Sequence, residues 1–261
     1  MARTKAGTAK STAGKTGKGK RQDRGDASRG VLARWLDKAS WRRWAIRGAF
    51  AILLLPPFLT VVYAVVPPVS TLMLARYAQL LWVDRQWRSL DEISPHLVRS
   101  VITSEDSGYC DHGGVDWAAL QKQVDVLLNE GEAPRGASTL TMQTAKNLYL
   151  WGGRSYLRKG LELPLALMID GILTKRRIME IYLNIAEWGE GIFGAEAASQ
   201  AWFGKPAKDL TRTQAARLAT ALPNPLGRNP AKPSQGHRKL SSTNLSRVKG
   251  AGPIFGCVLG S

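Results

Sequence analysis

Three short segments of the sequence combine carboxylate, hydroxyl, amide and cationic side chains in patterns that suit group-transfer chemistry. The first segment reads SEDSGYCDHGGVDW, and it places Glu105 and Asp106 directly after the apolar pair Val101 and Ile102. His112 follows within the same segment. Burial at a helix end raises the pKa of a carboxyl group, which suits general acid or base catalysis. By itself, an acidic pair beside a loop is also typical of a solvated turn or a helix cap.

The second segment reads RGASTLTMQTAKNLYL. Ser138 and Thr139 predict the cap of a helix that runs through Lys146. Gln143 and Lys146 then share a face with Thr139, because the spacing is i, i+4, i+7. Hydroxyls and free N–H groups at a helix N-terminus favour an anion, but the same pattern fits an ordinary capped amphipathic helix.

The third segment reads RSYLRKGLELPLALMID, in which Arg158 and Lys159 stand four and three residues before Glu162. On a helix these three side chains face one side. Two cations and a carboxylate suit a site that holds a phosphate and orients a proton-transfer group. A surface ion pair is the alternative interpretation.

The sequence lacks the motifs of several other catalytic chemistries. It contains no phosphate-binding glycine loop, no HExxH zinc motif and no GxSxG elbow. Cys110 and Cys257 are far apart, and the three histidines, His96, His112 and His237, are scattered and complete no metal-ligand pattern. We therefore expect neither a serine nor a metal hydrolase, and we expect no disulfide, with Cys110 a small packed residue.

The elements that position these residues follow a strongly basic N-terminus. The chain has 261 residues, 44% of them hydrophobic, which is enough for one globular domain plus a tail or anchor. Its formal charge of +17 implies an anionic partner, which could be nucleic acid, a membrane surface or an anionic substrate. Much of this charge lies before Arg47 in a segment with few large apolar side chains, so we predict a disordered basic tail over residues 1–43.

An uncharged apolar stretch follows the tail. No charged residue lies between Arg47 and Arg76, and about 20 apolar residues suffice to cross a bilayer. We predict a transmembrane anchor over residues 44–75. A cleaved signal peptide is disfavoured by the late start and the length, and a buried core helix by the length and the flanking charge. The positive flank predicts a cytoplasmic N-terminus with the remainder of the chain outside.

Helical signals dominate residues 76–233, so this part is predicted to be one mainly α domain. Ser94 and Thr211 have the sequence context of N-caps, and strand-like alternation is scarce. Ile178, Ile181, Tyr182 and Ile185 form one apolar stripe at helical spacing.

The last segment, residues 234–261, shows neither helical period nor strand alternation. We predict that it is unstructured, as would follow from a frameshift or truncation near Ser234.

The order of the segments resembles the five-motif signature of glycosyltransferase family 51, the transglycosylases of peptidoglycan synthesis. The matching motifs read EDSGYCDHGGVD, RGASTLTMQTAKNL, RKGLE, KRRIMEIYLN and ARLATALPNP. The phrases NIAEWGEGIFGAEAAS and WFGKPAKDLTRTQAA are similar to the monofunctional branch of that family. The resemblance covers residues 70–233. It implies a mainly α fold with a lysozyme-like lobe and a small membrane-proximal jaw lobe that includes residues 115–128, preceded by one transmembrane helix.

The resemblance also implies a reaction and a set of site residues. Members of this family polymerise lipid II, a disaccharide-pentapeptide carried on undecaprenyl pyrophosphate, by inverting transfer to the 4-hydroxyl of the acceptor sugar. Glu105 matches the family's general base, and Glu162 matches its second essential glutamate, next to the donor pyrophosphate. Residues that match substrate contacts are Asp106, His112, Thr139, Gln143, Lys146, Arg158 and Lys159.

Cofactor, partners and location follow from the same resemblance. No cofactor is expected to be obligatory, although a divalent cation, Mg²⁺ or Mn²⁺, assists many members at the pyrophosphate, and the sequence forms no dedicated metal cage. The expected partners are lipid II, the growing glycan strand and membrane lipid, with other cell-wall synthases or division proteins as candidates and no nucleic acid. The expected location is the bacterial inner (cytoplasmic) membrane, in a single pass with the N-terminus cytoplasmic and the catalytic domain periplasmic.

Three positions within the motifs depart from the family pattern. Tyr109 stands where phenylalanine is usual, and its hydroxyl needs a partner if it is buried. Met142 stands where the second motif often has a glutamine, so one hydrogen bond of the cleft is expected to be missing. Pro164 follows Glu162 by two residues, where it would disrupt a helix beyond its first turn.

Two other functions compete with glycan synthesis. A lytic transglycosylase or lysozyme-like hydrolase uses a similar fold and an acidic glutamate. A catalytically inactive membrane scaffold would bind lipid II or division proteins. The cations Lys146, Arg158 and Lys159 favour synthesis, because a pyrophosphate donor needs them and a polysaccharide does not.

Overall fold

The computed structural model describes residues 38–130, 136, 138–153, 155–251 and 254–260. The chain divides into two units, Met1–Ile52 and Leu53–Ser261, and the second holds every candidate site residue. Most of the predicted basic tail, residues 1–43, lies outside the described residues.

Helices dominate the described part of the chain, as the sequence predicted. The eleven α-helices there are α1 (Lys38–Tyr63), α2 (Thr71–Ala78), α3 (Pro95–Glu105), α4 (Trp117–Glu130), α5 (Leu140–Tyr149), α6 (Tyr156–Ile172), α7 (Lys175–Ile185), α8 (Ala195–Phe203), α9 (Arg212–Ala221), α10 (Gln235–Gly250) and α11 (Gly256–Leu259). Three short strands, β1 (Asp84–Arg85), β2 (Glu187–Gly189) and β3 (Ile192–Phe193), form a sheet with β3 in the middle, parallel to β1 and antiparallel to β2.

One helix is a candidate membrane span. Residues Trp41–Tyr63 of α1 have a mean hydropathy of 1.9 and are long and apolar enough to cross a bilayer. The predicted anchor reached residue 75, whereas the helix ends at Tyr63. Pro67 and Pro68 account for the difference, because a proline disfavours the helical conformation of the residue before it, and a new helix begins only at Thr71.

Helix α7 lies in the interior of the second unit. The predicted stripe of Ile178, Ile181, Tyr182 and Ile185 is buried, and so are several residues on its other faces, including Leu183. A helix that is buried over most of its circumference must be surrounded by other elements. Helices α5, α6, α8 and α11 all contact α7, which therefore forms the support for the site described below.

The predicted helix caps are confirmed. The hydroxyl of Ser94 accepts a hydrogen bond from the backbone N–H of His96 (3.3 Å), and Thr211 accepts one from the N–H of Gln214 (3.4 Å). Each oxygen satisfies a backbone donor that the helix itself leaves unpaired. These caps fix where α3 and α9 begin.

Helix α4 exposes large apolar side chains to solvent. Trp117, Val124 and Leu128 are 57%, 43% and 76% exposed. This exposure is what a membrane-facing jaw helix would require, and the assignment of residues 115–128 to a jaw lobe stays a prediction.

The prediction that residues 234–261 are unstructured is wrong. Ser234 caps α10, and the buried side of that helix consists of His237, Ser241 and Asn244 at spacing i, i+4, i+7. Each of these polar residues makes a hydrogen bond to another element or within the helix: the His237 ring contacts the carbonyl oxygen of Arg217 at 3.0 Å, the Asn244 amide donates to the carbonyl of Ser100 at 2.9 Å, and Ser241 donates to the carbonyl of His237 at 2.8 Å. A search for apolar periodicity missed the helix because its buried stripe is polar.

The expectation of no disulfide is also wrong. Cys110 and Cys257 form a disulfide whose Cα atoms lie 5.7 Å apart, within the range that a disulfide spans. Helix α11 brings Cys257 there: Val258 is buried beside α7, and its carbonyl accepts a hydrogen bond from Arg176 (2.8 Å). Separation along the chain gave no indication of this proximity.

Candidate active site

Glu105 is the last residue of α3, is half-buried and lines a cavity of about 250 Å³. Burial raises the pKa of its carboxyl group, while hydrogen bonds from Gln143 and Ser104 and the charges of Arg228 and Lys146 act in the opposite direction. The net effect is upward. A carboxylate that is partly desolvated and has a raised pKa is suited to accept a proton near neutral pH.

Gln143 joins Glu105 to the centre of the domain. Its amide nitrogen donates to Oε2 of Glu105 at 3.1 Å, and its amide oxygen accepts from the buried hydroxyl of Tyr182 at 3.0 Å. Because a phenol hydroxyl can donate to the amide oxygen and an ionised carboxylate can only accept, the two contacts together fix which way the amide points. Helix α7 thus orients the hydrogen bond that Glu105 receives.

Asp106 holds the first motif against the start of α5. Its carboxylate contacts Nε2 of His112 at 2.9 Å and accepts from the backbone N–H of Leu140 at 2.9 Å. A negative charge at a helix N-terminus is stabilised by the free N–H groups and the helix dipole. Asp106 and His112 are therefore brought together, as part of the frame that positions Glu105.

Thr139 has two contacts within the protein. Its hydroxyl donates to the carbonyl of Gly114 at 2.6 Å and accepts from the N–H of Met142 at 3.1 Å, so it is the N-cap of α5. Gly114 has φ +81°, and a Cβ there would lie 2.8 Å from the carbonyl oxygen of Ala166, so this close approach requires a glycine. The side chain of Thr139 also lines the Glu105 cavity.

Glu162 is buried on α6, and both of its carboxylate oxygens are paired with cations. Oε1 accepts a hydrogen bond from Arg158, and Oε2 accepts one from Lys159 at 2.7 Å. Lys159 also donates to the hydroxyl of Ser138 at 2.6 Å, which links α6 to the residue before the α5 cap. The predicted grouping of Arg158, Lys159 and Glu162 on one face is confirmed.

Pro164 does not interrupt the helix that carries Glu162. Helix α6 continues from Tyr156 to Ile172 with Pro164 inside it. An internal proline removes the hydrogen bond to the carbonyl of the residue four positions earlier, which here is Gly160, yet the helix continues on both sides of Pro164. Glu162 thus keeps its buried, doubly paired position.

The charges of both glutamates act on the ammonium group of Lys146. Burial lowers the pKa of its ammonium group, the charges of Glu162 and Glu105 raise it, and those of Arg158 and Lys159 lower it. No hydrogen bond or ion pair within the described part of the chain occupies its ammonium group. Lys146 is therefore a cation that remains available to a ligand.

Lys146 and Arg158 line a second cavity, of about 150 Å³, together with Thr71, Leu72 and Trp151. Thr71 and Leu72 begin α2, the first helix after the candidate membrane span, and the Thr71 hydroxyl bonds the carbonyl of Asn147 at 3.1 Å. The cationic cavity is thus walled in part by the segment that follows the anchor.

Two departures from the family pattern have structural explanations. The hydroxyl of Tyr109 is buried and donates to the carbonyl of Lys175 at 2.9 Å, so it has the partner it needs. Met142 is buried in the hydrophobic core, where it contributes packing; the missing cleft hydrogen bond stays a prediction.

Two arginines near Glu105 were not among the predicted site residues. Arg228 lowers the pKa of Glu105 through its charge and donates to the carbonyl of Thr220 at 2.6 Å. Arg247, on α10, lines the cavity that contains Glu105. Neither lies in a recognisable local pattern, and Arg247 falls in the segment predicted to be unstructured.

A resident metal does not fit the carboxylates of this site. The structure describes no cluster of three or more His, Cys, Asp or Glu residues that could hold a metal ion. Both oxygens of Glu162 already accept from cations, and Asp106 is paired with His112 and a backbone N–H. Within the described part of the chain, the remaining carboxylate, Glu105, accepts only from the neutral donors Gln143 and Ser104, and one carboxylate does not make a metal cage.

Comparison with known proteins shows similarity over most of the chain. The sequence model of the family described as Transglycosylase matches residues 73–249. A biosynthetic peptidoglycan transglycosylase of Rhizobium johnstonii is 51% identical over 86% of this chain and 92% of its own length. Proteins of the same name from Brucella suis and Mesorhizobium japonicum are each 52% identical, over 82% and 87% of this chain and 96% and 98% of their own lengths.

The matched range corrects one further expectation. A frameshift or truncation near Ser234 would end the family resemblance there, but the match continues to residue 249, at the end of α10. The segment Gln235–Lys249 is therefore part of the family domain.

Proposed function

The chain belongs to the Transglycosylase family, and from that premise we propose that it is a peptidoglycan glycosyltransferase that polymerises lipid II into glycan strands. The observation that carries the proposal is that the site contains two groups of side chains, one suited to accept a proton and one suited to bind a negatively charged leaving group. Glu105 is a partly desolvated carboxylate with a raised pKa, whereas Lys146, Arg158 and Lys159 form a cationic group around Glu162.

In the proposed reaction, Glu105 is the general base. It accepts the proton of the acceptor sugar's 4-hydroxyl as that oxygen attacks the anomeric carbon of the donor. The bond from the anomeric carbon to the pyrophosphate oxygen breaks, and attack from the opposite face gives inversion. Gln143 keeps the accepting oxygen of Glu105 in place, because its own orientation is fixed by Tyr182.

The cations stabilise the leaving group. A departing pyrophosphate develops negative charge, and prepositioned cations are stabilising because they need no reorganisation when that charge forms. Among the described residues Lys146 has no partner to release, while Arg158 and Lys159 are held by Glu162. Glu162 therefore acts on the donor through the two cations that it positions. Any Mg²⁺ or Mn²⁺ would arrive with the pyrophosphate, since the protein carboxylates are already paired.

A lipid-linked donor suits the position of the cationic cavity. Thr71 and Leu72, just after the candidate membrane span, form part of its wall. A substrate whose lipid tail stays in the bilayer would present its pyrophosphate close to where the chain leaves the membrane. The disulfide Cys110–Cys257 supports a domain on the oxidising, periplasmic side of an inner membrane.

Glycan synthesis and glycan hydrolysis can be distinguished by which substrate the protein consumes. Detergent-solubilised full-length protein is incubated with fluorescent lipid II in one assay and with purified peptidoglycan in another. The proposal predicts a ladder of polymers from lipid II and no soluble fragments from peptidoglycan. Fragments without a ladder would instead support a lytic enzyme, and neither product would support an inactive scaffold.

A further inference from the structure

A second cationic cavity lies at the opposite end of α3 from Glu105. It has a volume of about 370 Å³, within the usual range for small-molecule sites. Its walls come from α3, α9, α10 and the turn before α11. They are formed by His96, Arg99, Ser100, Arg212, Leu245, Val248, Lys249 and Phe255. Glu105 is nine residues from His96 along α3, which is roughly 14 Å at the rise of an α-helix.

The charge in this cavity is unbalanced. His96, Arg99, Arg212 and Lys249 are basic, and no carboxylate is among the lining residues. Within the described residues, none of these four side chains takes part in an ion pair. Like charges that converge on one concavity repel each other, and a bound anion relieves that repulsion.

The N-termini of two helices add to the positive electrostatic potential of this cavity. Helices α3 and α9 begin at Pro95 and Arg212, and an adjoining cavity that shares His96 and Arg212 is lined by both of their caps, Ser94 and Thr211. Each N-terminus contributes partial positive charge. The adjoining cavity also contains one cation, Lys208, and one carboxylate, Asp209.

One wall of the cavity is apolar. Phe255 is largely buried, and the guanidinium of Arg99 lies 6.0 Å from the centre of its ring. Leu245 and Val248 of α10 complete this wall. A ligand that fits would therefore combine a multiply charged anionic group with a small apolar or ring-shaped body.

We propose that this cavity is a binding site for a phosphate ester or diphosphate, separate from the catalytic centre. The anionic group would be held by Arg99, Arg212 and Lys249, and the body of the ligand would pack on Phe255. Phosphate is favoured over a single carboxylate because it carries nearly two charges near neutral pH and three acceptor oxygens.

His96 provides a local measurement of binding. Burial lowers the pKa of its imidazole, and the charges of Arg212 and Arg99 lower it further. The other charged groups that face it are Lys249 on α10 and Lys208 and Asp209 in the adjoining turn. An anion in the cavity favours the imidazolium, so binding must raise the pKa of His96.

The test follows the histidine resonances of the full-length protein in detergent by NMR, with isotope label on histidine alone. Titrations of pH are recorded without ligand and with pyrophosphate, inorganic phosphate, phenyl phosphate or benzoate. The proposal predicts a saturable rise in the pKa of His96 with pyrophosphate and phenyl phosphate, a weaker effect with inorganic phosphate and the weakest with benzoate. The pKa of His237, which is buried elsewhere on α10, should not change.

A matched pair of variants locates the effect. R212Q/K249Q removes two exposed charges of the cavity and leaves the Arg99–Phe255 contact intact, whereas R238Q/K239Q removes two exposed charges of α10 outside it. The first should weaken pyrophosphate binding by about tenfold, with the single variants intermediate, and the second should match the wild type. The proposal is overturned if no ligand shifts His96, if both double variants lose binding equally, or if benzoate binds as tightly as phenyl phosphate.

Discussion

At Glu105, burial and hydrogen bonding act on the carboxyl group in opposite directions. Burial raises the pKa, and the amide of Gln143 makes the largest opposing contribution. The motifs identified both residues from the sequence, because their types and order are specific. The orientation of the amide was not predictable, since it depends on Tyr182, which lies on a different helix and was interpreted as a core residue.

Replacement of Gln143 by leucine tests this balance. The base works only when deprotonated, so activity falls as pH decreases through the pKa of Glu105. Without the amide the carboxylate loses its stabilising donor and its pKa rises. In Gln143→Leu, the acid limb of the kcat/KM profile should therefore move to higher pH. Gln200→Leu, which removes a similar hydrogen bond to Glu196 far from Glu105 in sequence, should leave the limb in place; a shift toward lower pH in Gln143→Leu would contradict the account.

Lys159 offers a test of leaving-group stabilisation. Its ammonium group is held by Glu162 and Ser138. If it stabilises the departing pyrophosphate, Lys159→Gln should lower kcat/KM for lipid II by about 10²-fold, in the range measured for the loss of one prepositioned donor. Lys205→Gln, at a partly exposed lysine that bonds only the carbonyl of Asp209 among the described residues, is the control. Activity within a few-fold of the wild type in Lys159→Gln would remove this lysine from the proposed chemistry.

At the scale of elements, apolar periodicity was a reliable signal where the buried face is apolar. It located α7 and, with the capping residues, the starts of α3, α5 and α9. It failed for α10, whose buried face consists of hydrogen-bonded polar residues. The apolar stretch used to predict the anchor extends beyond the end of the helix, because hydropathy alone does not register the effect of Pro67 and Pro68 on the backbone.

The polar face of α10 should be important for stability. The ring of His237 contacts Thr220 as well as the carbonyl of Arg217, so His237→Ala removes buried hydrogen bonds and the packing of the ring. We expect a loss of about 1–3 kcal/mol in the free energy of unfolding, measured by chemical denaturation in detergent. Ser242→Ala, on the exposed side of the same helix, should change it by less than about 0.5 kcal/mol. Equal effects of the two substitutions would contradict the packing described for α10.

At the scale of the whole molecule, the disulfide joins the first motif to the last helix. It links residues 147 positions apart, so it closes most of the domain into one loop. The sequence interpretation missed it because two cysteines at this separation carry no spacing pattern. Because the two cysteines are so far apart along the sequence, the disulfide strongly restricts the conformations of the unfolded chain.

Removal of the disulfide should be costly. Loop-closure entropy for a separation of this length corresponds to about 5 kcal/mol, as an upper value. The double variant Cys110→Ser/Cys257→Ser should therefore unfold at distinctly lower temperature than the oxidised wild type. Wild-type protein treated with reductant should match the double variant. Free thiols at both positions in protein isolated from the membrane would contradict the pairing.

The most direct test of the central claim is the rate of lipid II polymerisation by Glu105→Gln. The substitution keeps the shape of the side chain and removes its ability to accept a proton, so the rate should fall by at least about 100-fold. Glu190→Gln, at an exposed glutamate, should polymerise like the wild type, and all three proteins should unfold at similar temperatures. Wild-type rates of polymer formation from folded Glu105→Gln would show that Glu105 is not the base.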